Sequence, residues 1–97
     1  MIDWRRDFYI HTPYQHQADH VCDTLHALGY KWANGESLLD DTYWCANRNE
    51  MHYHVRPNTM QITYARYPTT GIDIFSYSEF VEDCIGVEEP ISISEFL

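Results

Sequence analysis

Two histidine pairs are spaced for joint chemistry. His16 and His20, in the run HQADH, stand one helical turn apart, and His52 and His54 stand at the two-residue interval that puts both side chains on one face of a strand. Either pair could offer two imidazole nitrogens to a divalent metal, so a small metal-dependent enzyme using His52 and His54 is one function class to weigh. A metal site needs three or four donors, and HQADH lacks the glutamate that follows the first histidine of an HExxH helix. Asp19 or Asp23 could add a donor to the helical pair, although on a solvated helix face the same residues are simply polar. No local signature joins a nucleophile, a base and an orienting group, and Cys45 beside Trp44 has few of the basic neighbours that would lower a thiol pKa. The residues therefore point away from an enzyme, with no catalytic residue, no metal and no cofactor expected.

The stretch Gly29 to Leu38, GYKWANGESL, poses the same question for nucleotides. A phosphate-cradling loop needs glycines feeding a helix N-terminus, where free N–H groups converge on the anion. Here the first glycine follows a helical segment instead, Tyr30-Lys31-Trp32 alternates as a strand, and Asn34-Gly35 is a turn dipeptide. The stretch reads as architecture.

Charge is the more informative property. Fifteen acids oppose six Lys and Arg for a formal charge of −9, and Arg66 is the last basic residue, followed by seven acids through Leu97. Such a surface repels nucleic acid and anionic lipid and attracts basic proteins over a range set by ionic strength. Within an expected second helix, Glu79, Glu82 and Asp83 fall at i, i+3 and i+4, on one side, with Asp73, Glu88 and Glu89 flanking them. These six carboxylates are the candidate partner-binding residues. Like charges clustered without bases suggest a partner that supplies the bases, while solubility is the competing explanation.

The elements that must position these groups can be read in order. Asp7 to His11 is a short aromatic and β-branched run suited to a first strand. Thr12, Pro13 and Gln15 supply an N-cap, an N1 proline and a capping-box partner for a helix running to about Leu28, with Tyr14, Ala18, Val21, Cys22, Leu25 and Leu28 as its apolar stripe. Thr42 to Cys45 reads as a further short strand, and Met51 to Arg56 with Met60 to Ala65 as a hairpin turned at Pro57-Asn58. Ile72 to Phe75 is a last strand or a lead-in to a helix that Ser76 and Glu79 open as a capping box and Gly86 stops. Ninety-seven residues with 44% hydrophobic content fit a single α+β domain: an amphipathic helix packed on a small antiparallel sheet, with a short second helix near the C-terminus. Trp32, Tyr53 and Tyr64 are expected to be structural. Three scattered cysteines, and the want of an apolar run of about 18 residues, fit a cytoplasmic protein.

This order of strand, capped helix, GYKWANGESL, hairpin ending MQITYA and then IFSYSEF resembles small acidic phage and prophage accessory proteins. In length, charge and lack of catalytic motifs the chain is similar to anti-CRISPR proteins, several of which imitate DNA. The resemblance implies a non-enzymatic inhibitor acting in the host cytoplasm on a basic nucleic-acid-binding protein, a CRISPR effector complex foremost, without binding nucleic acid or membrane itself. A phage regulatory protein that binds another basic protein is the alternative of the same charge logic.

Overall fold

The computed structural model describes residues 2–86. Within them the chain forms an α+β domain on a five-stranded sheet. The strands are β1 (Phe8–His11), β2 (Lys31–Trp32), β3 (His52–Arg56), β4 (Gln61–Ala65) and β5 (Asp73–Ser76), in the spatial order β2-β4-β3-β1-β5. The helices are α1 (Gln15–Ala27), α2 (Trp44–Asn47) and α3 (Tyr77–Val81).

The hairpin expected at Met51 to Ala65 forms the centre of the sheet as β3 and β4, in register Val55 opposite Ile62 and Tyr53 opposite Tyr64. β1 pairs antiparallel on the other side of β3. The two margins depart from an all-antiparallel sheet, because β5 runs parallel to β1 and β2 parallel to β4. Parallel neighbours need crossovers, and the chain provides them. α1 carries the chain from β1 to β2, and residues 66–72 carry it from β4 across the opposite face to β5, where Thr69 meets the Tyr9 hydroxyl at 3.2 Å. That crossing explains why Tyr9 is buried although it faces away from the core.

Period-two alternation puts Phe8, Ile10, Tyr53, Val55 and Ile62 on the core face, where they share one cluster with Ala18, Val21, Cys22 and Leu25 of α1 and Phe80 of α3. α1 ends in a Schellman pattern: Gly29, at φ +100°, donates to the His26 carbonyl, and the Tyr30 N–H reaches back to the Leu25 carbonyl.

The start of α1 differs from the expectation. The helix begins at Gln15 after Tyr14, with no side-chain cap. Thr12 is fully buried: its N–H donates to the Met51 carbonyl and its own carbonyl accepts the Trp44 indole N–H at 3.0 Å, so the residue serves the sheet margin rather than the helix. Tyr14 and Leu28, assigned to the apolar stripe by spacing, lie exposed beyond the two ends of the helix. The run Thr42 to Cys45 is not a strand; a left-handed Tyr43 turns it into the single turn of α2.

The capping box at Ser76 and Glu79 is present in both directions: the Glu79 N–H donates to Ser76 Oγ at 3.1 Å and the Ser76 N–H to Glu79 Oε1 at 2.8 Å. This cap fixes the short α3 that plants Phe80 in the core. Replacing Ser76→Ala should cost about 1 kcal/mol of stability in urea denaturation, and Glu79→Gln, which keeps the reciprocal hydrogen bond, clearly less.

Candidate protein-binding surface

The expected acidic patch is partly assembled. Glu79 and Glu82 are exposed, but the α-helix stops at Val81 and continues as a π-helical turn over Glu82–Gly86. The wider turn breaks the i, i+3, i+4 phase, and Asp83 comes round half-buried to accept the Trp4 indole N–H at 3.0 Å. Asp73 is exposed at the far end of β5, about 10 Å of strand away from Ser76. Glu88 and Glu89 lie outside the described residues. The structure thus exposes Glu79 and Glu82 on consecutive helical turns, turns Asp83 against Trp4, and leaves Asp73 apart.

Among the described residues none of these four carboxylates forms an ion pair with a base. The ion pairs among the described residues engage Asp3 with Arg5 and Glu50 with Arg66, and Asp7 with His54 when that imidazole is protonated. Asp19, Asp23, Glu36, Asp40, Asp41, Asp73, Glu79, Glu82 and Asp83 form none.

A second feature, which charge counting alone does not show, lies at the opposite margin of the sheet. β2 is only two residues long, and after the Ala33 N–H donates to the Ile62 carbonyl the chain turns away. The Asn34 side chain accepts the Glu36 N–H at 2.9 Å, and Gly35 adopts φ +91°. On that side the rest of β4 is left without a neighbouring strand, and a cleft of about 320 Å³ opens there, lined by Trp32, Ala33, Asn34, Tyr43, Ile62, Thr63 and Tyr64. Its aromatic walls are coupled: Tyr43 stacks on Tyr64 with centroids 5.2 Å apart, and Trp32 meets both rings edge-on at 5.1 and 6.0 Å. Trp32 is buried, as expected of a structural residue, whereas Tyr64 keeps 40% of its surface exposed.

Tyr43 occupies the left-handed region, φ 57° and ψ 15°, which is strained for a bulky side chain. Two carboxylates hold it there. Asp41 Oδ1 accepts the Tyr43 N–H at 2.7 Å, and Glu36 Oε1 accepts its hydroxyl at 3.0 Å. The hydroxyl pKa is raised, first by the hydrogen bond to Glu36, then by burial and by the charges of Glu36 and Asp41. The cleft therefore joins an aromatic wall to negative potential. The signal for it in the sequence is the run DDTYW from Asp40 to Trp44, acids abutting aromatics, together with the pairing of Tyr64 opposite Tyr53 near the open end of the sheet.

The members of each histidine pair make different hydrogen bonds or stacking contacts. His16 stacks on Tyr14, and His20 Nδ1 lies 2.6 Å from the Tyr77 hydroxyl. On the face of the sheet away from the core, His52 stacks on His11 at 4.5 Å while His54 lies against Tyr9 at 4.6 Å. His52 donates Nδ1–H to the Glu50 carbonyl, His11 donates Nε2–H to the Asn49 carbonyl, and His54 Nε2 meets Asp7 at 3.0 Å. Among the described residues no three His, Cys, Asp or Glu side chains gather in a way that could hold a metal ion. Cys22 is buried and its thiol is pushed up to about 12, chiefly by desolvation, which removes it from nucleophilic chemistry near neutral pH. No helix of the described residues is long and apolar enough to cross a membrane.

Comparison with protein-family models, curated proteins and solved structures finds no match to this chain.

Burial lowers the His52 pKa below its ordinary 6.5, with the stacked His11 acting in the same direction. The unfolded chain therefore binds a proton before the folded one does as pH falls below about 6.5. Stability should decline from that pH downward until the folded-state pKa is passed, and His52→Gln should flatten this part of a pH series of urea midpoints.

Proposed function

We propose that this protein is a non-enzymatic acidic inhibitor that acts as a DNA mimic, occupying the nucleic-acid-binding groove of a basic host protein, with a CRISPR effector complex as the partner. One observation carries the reading: nine described carboxylates, Glu79 and Glu82 among them, form no ion pair among the described residues, which supports a charge available to an outside cation. Duplex DNA presents one negative charge per about 1.7 Å of axis, and carboxylates fixed on a folded scaffold offer a Lys and Arg groove a comparable field. Charge of this kind accelerates encounter, and the desolvated anchors of the contact would come from exposed aromatics. The same field disfavours direct binding to nucleic acid or anionic membrane.

The test is displacement of duplex DNA from a CRISPR effector at rising salt. Inhibition should weaken by at least tenfold between about 50 and 200 mM salt, as expected where several charges are released together. The combined change Glu79→Gln, Glu82→Gln and Asp83→Asn, which keeps the cap and the acceptor for Trp4 while removing three charges, should reduce inhibition by about tenfold without lowering stability much. Effector that still captures DNA at saturating protein would reject mimicry.

A further inference from the structure

We propose that the cleft between Trp32, Tyr43 and Tyr64 receives one arginine side chain of a partner protein, its guanidinium laid against the exposed Tyr64 ring and its N–H groups directed at Glu36 and Asp41. This inference rests on the reading of the protein as a binder of basic surfaces and assigns that binding an anchor.

Four observations converge on a cation. The cleft is walled by three coupled aromatic rings, and an aromatic face attracts a desolvated cation through its quadrupole. The segment Glu36 to Asp41, whose two end residues hydrogen-bond the wall residue Tyr43, carries three acids and no base. Glu36 and Asp41 are turned toward Tyr43, yet each uses a single oxygen there, and neither forms an ion pair among the described residues. Finally, Tyr43 is held in a strained left-handed conformation by those same two carboxylates, so the wall is formed before any ligand arrives.

Arginine suits this arrangement better than lysine. A planar guanidinium stacks on an aromatic ring and still projects donors in its own plane toward carboxylates, whereas an ammonium is a strongly hydrated point charge. A nucleobase would also stack on Tyr64, but its phosphate would be repelled by the Glu36 and Asp41 carboxylates held at Tyr43. Asn34 at the rim adds a neutral side-chain amide beside the aromatic wall.

The probe is N-acetyl-arginine amide, titrated into the full chain at about 0.15 M salt and followed by NMR at the Trp32 indole N–H and the Thr63 and Tyr64 amides. Saturable shifts confined to these positions are expected, with a Kd of about 10 mM, in keeping with one cation–π contact and two exposed charge contacts. N-acetyl-citrulline amide, the uncharged isostere, should bind at least tenfold more weakly, and so should the arginine probe to Tyr64→Ser. Equal binding of citrulline, binding unchanged by Tyr64→Ser, or shifts that spread over the acidic surface without saturating would overturn the assignment. The DNA-displacement assay separates this failure from that of the inhibitor reading. Displacement that persists undiminished in Tyr64→Ser sinks the arginine site alone, whereas a saturable arginine site in a protein that displaces no DNA sinks the inhibitor.

Discussion

The polar ends of three large aromatic side chains hold this structure together where its sequence is least regular. Tyr53 is fully buried at the centre of the sheet, and its hydroxyl donates to the Thr42 carbonyl at 2.6 Å. The Trp32 indole donates to the Asp41 carbonyl, and the Trp44 indole to the Thr12 carbonyl, each at 3.0 Å. A buried hydroxyl or indole N–H without an acceptor costs about 1 to 3 kcal/mol, so each ring body drawn into the core brings with it a demand for a carbonyl. Residues 41 and 42 supply two of these carbonyls and Trp44 the third donor. The connection between β2 and β3, which has little regular hydrogen bonding of its own, is thereby clasped to the sheet.

The clasp has a consequence for the surface. With Asp41 and Thr42 pinned on one side and Trp44 on the other, Tyr43 is driven into a left-handed conformation, and its ring lies on Tyr64 beside Trp32. The aromatic cleft is thus a by-product of satisfying buried polar groups, and the carboxylates of Glu36 and Asp41 that steady Tyr43 add negative charge to its wall. Around α3 the same economy operates differently. Ser76 and Glu79 cap α3, Phe80 anchors it, and the π turn spends Asp83 on Trp4, which leaves Glu79 and Glu82 facing water. Both surfaces are negative, and neither is offset by the ion pairs at Asp3, Asp7 and Glu50. The proposed role as a ligand for a basic groove draws on both.

Much of this was legible from local rules. The β3–β4 hairpin followed from alternation across a turn, the end of α1 from Gly29, and the start of α3 from its capping box, because each is decided within a few residues. What escaped was decided at a distance. Thr12 looks like a helix cap until Met51 and Trp44 claim its backbone, and the aromatic content of Thr42 to Cys45 suggests a strand until Tyr53 and Trp32 capture its carbonyls. Parallel margins depend on which strand a crossover reaches, which periodicity does not encode. The acidic site was legible as composition, but its phase was not, since a π turn after Val81 changes which carboxylates share a side. The aromatic cleft was hidden for the same reason: Tyr64 reads as a core residue in its strand and becomes a surface residue only because β2 stops short of it.

Buried aromatic donors fix residues 41–44 and so preform the cleft. Amide hydrogen exchange in Tyr53→Phe tests this most directly, since the change removes one hydroxyl and leaves the ring in place. Exchange at the Tyr43 and Ala46 amides should accelerate about tenfold, the effect of losing one buried hydrogen bond, while the β3–β4 ladder keeps its protection. Unchanged rates at those two amides, or an equal acceleration across the whole sheet, would contradict it.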